Sequence, residues 1–159
     1  RNTAIVCGRN GMNKGLKAEE YFKNGYNCAQ AVVLAFADEI GGDVDAYLRL
    51  ASSFGGGIGR LREVCGAFTG SCMVAGLLRG YDGKNGVSKA EHYALIQRLA
   101  AKNKEANGSL VCRELLAGTV SLSNADPSVR SEEYKKKRPC AELCRIAADI
   151  LAEELGITE

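Results

Sequence analysis

Apolar residues recur along this chain at intervals of three and four, the spacing of a single helix face, and no stretch shows the alternation of a half-buried strand. Lys17 to Lys23 reads as a short amphipathic helix ended by Asn24-Gly25. Asn27 caps a second helix from Cys28 to about Ile40, with Cys28, Val32, Ala35 and Phe36 on one face and Gly41-Gly42 as its stop. Asp43 caps a third, whose stripe is Val44, Tyr47, Leu48 and Ala51. A glycine run then breaks the pattern. From Cys65 a fourth helix continues to about Leu78, followed by a turn-rich link through Gly80-Tyr81-Asp82-Gly83 and Asn85-Gly86.

Ser88-Lys89-Ala90-Glu91 has the form of a capping box and opens a helix that places Tyr93, Ile96, Leu99 and Ala100 on a core face, ending near Asn107-Gly108. Ser109 caps a short helix carrying Cys112, Leu115 and Leu116, with Gly118 as its stop. Residues 119–138 are polar and irregular and finish in the basic run Lys135 to Arg138, which reads as a solvated loop. Pro139 suits a first helical turn, so the last helix runs from about Pro139 to Leu155, with Gly156 beyond it. The expectation is an all-α fold, a single-domain helical bundle of about five to seven helices.

At 159 residues the chain can bury a core without disulfide staples. Residues 1–11 match neither the period nor the composition of the remaining chain. They read as an upstream extension of the kind an expression vector adds, and 12–159 as the domain, which discounts Cys7. A formal charge of +2 gives no general attraction to nucleic acid or to an anionic membrane. No apolar run approaches the roughly 18 residues of a membrane span, and the reading is a cytoplasmic protein. An odd count of seven cysteines in a reducing compartment points to thiols, metal ligands or a transient bridge.

The stretch Phe54 to Gly76 joins the glycine run to Cys65 and Cys72. It is neither a Walker loop, which needs GxxxxGK, nor a dinucleotide fingerprint, since Gly57-Ile58-Gly59 lacks the third glycine and has no strand before it; no nucleotide is expected. Gly66, Ala67, Gly70 and Ser71 instead allow a helix or an inorganic group to approach the backbone, and Gly66 and Gly70 are the candidates for lying beside a cofactor. Paired CxxC units of a zinc ribbon or ferredoxin are absent from the sequence. Cys28, Cys65, Cys112 and Cys140 each fall at or near a helix start, where free N–H groups and the helix dipole favour thiolate. Arg60 and Arg62, within five residues of Cys65, add to that expectation. His92, the one histidine, reads as a helix-surface or satisfied core residue.

Tyr26-Asn27-Cys28-Ala29-Gln30-Ala31-Val32, the FGGGIGR run, Cys65-Gly66-Ala67-Phe68-Thr69-Gly70, Cys112-Arg113-Glu114-Leu115-Leu116 and Arg138-Pro139-Cys140 together resemble the redox-active family named C_GCAxxG_C_C. The resemblance covers about Leu16 to Leu155 and selects Cys28, Cys65, Cys112 and Cys140. Cys72 and Cys144 are extra to the pattern, which leaves open pairings of Cys65 with Cys72 or Cys140 with Cys144. The family is also similar to a domain of certain multihaem cytochromes. This sequence has no CxxCH, so covalent haem is not expected.

Three functions are compatible with these residues. In the first, the four cysteines act in thiol–disulfide exchange or electron transfer with a redox partner protein or a small thiol. In the second, the same four hold an iron–sulfur cluster or a zinc ion. The third is a helical structural or oligomerisation module, a homo-oligomer included, whose cysteines only pack.

Overall fold

The computed structural model describes residues 13–117 and 139–158, and the extension 1–11, Cys7, Gly118 and the basic run 135–138 lie outside them. Eight helices occur among the described residues: α1 (Lys14–Lys23), α2 (Cys28–Ala35), α3 (Ala37–Ile40), α4 (Val44–Ser52), α5 (Gly66–Arg79), α6 (Lys89–Asn107), α7 (Cys112–Leu115) and α8 (Cys140–Leu155). The fold is all-α. None of these helices is long and apolar enough to cross a membrane.

Caps decide most boundaries. Asn13 Oδ1 accepts from Leu16 N–H at 2.8 Å, so α1 begins three residues before the apolar pattern does. This start buries Lys14, whose ammonium sits 2.7 Å from Glu39 Oε1 and 5.4 Å above the Phe36 ring, a paired and stacked cation. Asn27 and Gln30 form a reciprocal capping box, with Gln30 N–H on Asn27 Oδ1 at 2.8 Å and Asn27 N–H on Gln30 Oε1 at 3.1 Å. Ser88 Oγ accepts from Glu91 N–H at 3.1 Å and opens α6. Left-handed glycines close α6 and α8, with φ of 90° at Gly108 and 70° at Gly156.

Two expectations are corrected. The helix expected to run from Cys28 to Ile40 breaks at Phe36, whose φ of −108° and ψ of 19° separate α2 from the single turn α3. The break sends the Phe36 ring into the core, fully buried, and leaves Glu39 facing Lys14. Tyr93, expected on the core face of α6, is 51% exposed and pairs its hydroxyl with that of Tyr81 at 3.0 Å. The buried residues of α6 are Leu95, Leu99 and Asn103, spaced by four, and Tyr93 falls outside that stripe.

Helix α8 packs against α1, α2, α5 and α6, while α2 packs against α1, α4 and α5. Val32, Phe36, Val74, Leu99 and Leu151 are fully buried at these contacts, each worth about 1.5–3 kcal/mol in apolar transfer. Between α2 and α5 the approach is closer than side chains allow. A Cβ on Gly70 would lie 2.7 Å from the Ala29 carbonyl oxygen and 3.2 Å from Val32 Cβ.

The glycine run connects α4 to α5 as a left-handed coil. Gly56, Gly57, Ile58, Gly59 and Arg60 have φ between 55° and 72°, and Arg62 comes after them at 62°. Each non-glycine residue in that region costs about 1–2 kcal/mol. The coil is held by Gly59 N–H on Ser53 O at 2.8 Å and Glu63 N–H on Gly57 O at 2.9 Å. It then delivers residues 62–65 alongside 110–113, where Val64 and Val111 form an isolated antiparallel bridge.

Candidate functional site

Four helix starts meet at one place. Cys28 is the first residue of α2, Cys112 of α7 and Cys140 of α8, while Cys65 is the capping residue of α5. Their side chains line a single cavity of about 10 Å³ together with Gly66, Leu115, Leu116 and Leu143. That is room for about one water-sized atom. Leu115 and Leu143 also line a surface pocket of about 510 Å³ that includes Glu114, Pro139 and Glu142, so that pocket and the sulfur cavity share these two leucines.

Glycines and a short ladder set the positions. A Cβ on Gly66 would lie 3.0 Å from Cys28 Sγ and 2.9 Å from the Phe54 carbonyl oxygen, so glycine there admits the Cys28 sulfur against the start of α5. At Gly57 a Cβ would meet Cys112 Cβ at 2.7 Å, and φ is 72°. Cys65 N–H donates to Leu110 O at 2.8 Å, Arg113 N–H to Arg62 O at 3.1 Å, and Cys112 N–H to Glu63 O. In this antiparallel register Cys65 and Cys112 are diagonal neighbours on one face, which keeps their side chains within reach of each other. Gly70, expected beside a cofactor, has its open side filled by the α2 backbone at Ala29. Its function in the fold is helix packing.

Burial changes the electrostatics expected from helix starts. The N–H groups of Phe68 and Ala67 do point at Cys65 and lower its pKa, but desolvation is larger and the neighbouring Cys28 and Cys112 add to it. The thiol is pushed up to about 12. The expectation of a stabilised thiolate at Cys65 is therefore corrected: a sulfur 8% exposed loses more from leaving water than the helix start returns. Cys72 is pushed up to about 11 by burial and does not line the cavity. Cys144, fully buried, sets its Sγ 3.8 Å from the Cys28 carbonyl oxygen, where it packs α8 on the start of α2.

Arg62, close to Cys65 along the chain, does not serve that sulfur. Its guanidinium turns to Cys112 instead, with Nη1 3.7 Å from Sγ. The left-handed φ of Arg62 and the pairing with 110–113 carry the side chain inward, where it is 3% exposed. Its Nε and Nη2 are buried and have no hydrogen-bond partner among the described residues. No residue spacing signals this contact, which spans fifty residues. His92 is half-buried at the edge of the Tyr81 ring and is not part of the cavity lining. Among the described residues, no three His, Cys, Asp or Glu side chains are grouped so as to hold a metal ion.

The sequence model of the family described as "Putative redox-active protein (C_GCAxxG_C_C)" matches residues 26–154, a span that includes all four cysteines of the cavity. No curated protein and no solved structure matches the chain. The family's description supports a redox role in general terms. Because the match takes in most of the sequence, from the capped start of α2 to the end of α8, the chain belongs to the C_GCAxxG_C_C family.

Proposed function

We propose that Cys28, Cys65, Cys112 and Cys140 form one thiol redox site that exchanges electrons by making and breaking disulfides. In each cycle two of the thiols become a disulfide and give up two electrons and two protons. The acceptor is a disulfide on a redox partner protein or a small molecule, which is reduced to two thiols. The observation that carries this reading is the convergence of four helix starts, each bearing a cysteine, on a cavity large enough for about one atom. Sulfurs that only filled core space would not require a left-handed coil and two glycines without room for a Cβ to bring them together.

Counting accessible thiols before and after a mild disulfide oxidant tests the proposal. The native chain loses thiols in pairs, whereas a variant with serine at all four positions loses none from this site. Metal and acid-labile sulfide are measured on protein purified without air. Full retention of the four thiols, or stoichiometric metal that a chelator removes together with the redox activity, would overturn exchange as the function.

A further inference from the structure

Among the described residues Arg62 is a buried cation without a buried anion. A guanidinium keeps its proton in proteins, and a charge out of water is expensive unless something of opposite sign compensates it. Lys14, the other deeply buried cation among the described residues, has Glu39 at 2.7 Å. Arg62 is paired with no carboxylate among the described residues, and its Nε–Nη2 edge, the edge that forms bidentate ion pairs, is buried and unpartnered. What it does reach is the Cys112 sulfur, 3.7 Å from Nη1.

The contact is built by costly backbone. Arg62 sits at φ 62°, and Gly57, with no room for a Cβ, lets Cys112 come against the coil. Arg113 N–H on Arg62 O at 3.1 Å locks the two segments in register. Cys65, by contrast, has no cation in an equivalent place among the described residues, and burial with two neighbouring sulfurs keeps its proton on at neutral pH.

We infer that Arg62 is a positioning residue that makes Cys112 the attacking sulfur of the site. This rests on the exchange reading above. The Cys112 thiol, held beside the guanidinium, gives its proton to solvent as its sulfur attacks one sulfur of an incoming disulfide R–S–S–R. A Cys112–S–S–R bond forms, the original S–S bond breaks, and the other half of the incoming molecule leaves as RS⁻. A second thiol of the cavity, from Cys28, Cys65 or Cys140, then gives up its proton to solvent, bonds to the Cys112 sulfur and expels the second RS⁻, and the two RS⁻ take up the two protons released. Two cavity thiols have been oxidised and one disulfide reduced. Because the guanidinium contacts the reduced Cys112 sulfur more favourably than a bridged one, it also makes the bridged form the stronger oxidant.

The test uses methyl methanethiosulfonate, a thiol-capturing probe small enough for a narrow site, in limiting amount on the reduced full chain, with peptide mapping of the first adduct. Cys112 is expected to carry it, although Cys28 and Cys140 are the more exposed sulfurs. Arg62→Met is expected to slow capture at Cys112 by about tenfold, to leave Cys72 unchanged, and to shift the equilibrium with a glutathione buffer toward the bridged form by a similar factor, about 30 mV for a two-electron couple. Arg62→Lys restores part of both. First capture at Cys28, Cys65 or Cys140 in the native chain overturns the inference, and needs no variant to fold. So does an Arg62→Met protein of native helicity whose Cys112 rate and potential are unmoved. If the cavity sulfurs bridge but capture begins elsewhere, only the assignment to Arg62 and Cys112 is lost. If they never bridge, the exchange reading itself is lost.

Discussion

The two ends of this bundle solve different problems. Where α8 crosses α1, α5 and α6, regular helices bury Leu99, Val74 and Leu151, and polar side chains bond across to α8, as when Ser71 Oγ donates to Ala147 O at 3.4 Å and Arg79 Nη2 to Leu155 O at 3.1 Å. Where the glycine coil meets residues 110–116, the coil backbone is left-handed, a guanidinium is buried with two nitrogens that have no partner among the described residues, and a cavity remains among four sulfurs. Packing supplies stability at the first end. At the second, stability is given up so that sulfurs from distant parts of the chain can meet.

Changes at the two ends should therefore separate folding from thiol chemistry. The largest effect on folding is expected from Leu151→Ala, which empties a fully buried site in α8 and should lower unfolding stability by about 2–5 kcal/mol in a urea titration. The surviving folded protein should keep its thiol reactivity. If reactivity falls in step with stability, the two ends are one cooperative unit and the contrast is lost.

Alkaline pH probes the other end. A thiol whose folded pKa is raised is neutral in the native state, so its contribution to stability is intact below the unfolded value of 9.0 and disappears as pH rises toward the folded value of about 12. Chemical denaturation across that window should show stability falling from about pH 9 upward, and Cys65→Ala should flatten the slope. An unchanged slope in that variant would mean that Cys65 is not the buried sulfur responsible.

Gly66→Ala should cost about 1–3 kcal/mol, because the new methyl has the Cys28 sulfur 3.0 Å away and a carbonyl oxygen at 2.9 Å. Its effect on oxidation of the cavity thiols should be disproportionately large. Gly76→Ala is the matched control: the position is helical, exposed and open, and alanine there should add about 0.5–1 kcal/mol. The smallest effect is expected at Ile58, a β-branched residue at φ 70° and 36% exposed. Ile58→Gly should raise stability by about 0.5 kcal/mol, since relief of left-handed strain slightly exceeds the added chain entropy. A net loss in a thermal melt would show that the coil is held by contacts of Ile58 itself.

Much of the regular end can be read from local residues. Asn27, Asp43 and Ser88 cap the helices that their types predict, and Gly108 and Gly156 close helices in the left-handed conformation. The four cysteines are recognisable for a related reason, since each lies within one residue of a helix start. What local pattern does not contain is anything settled by distant partners. The burial of Lys14 depends on its finding Glu39, and the break at Phe36 on a ring that belongs in the core. Left-handed φ at Ile58, Arg60 and Arg62 opposes their own preferences, and the Arg62–Cys112 contact is created by the pairing of two segments that are remote in sequence. The rise of the Cys65 pKa has the same origin, because burial is a property of the assembled bundle.

The most direct test of a single four-sulfur redox site is disulfide mapping over a graded series of glutathione buffers, with alkylation of the remaining thiols at each step. Bridges should appear over a narrow range of potential and join only Cys28, Cys65, Cys112 and Cys140, leaving Cys72 and Cys144 as thiols throughout. Four thiols that stay reduced across the whole series, or bridges that form first at Cys72 or Cys144, would contradict it.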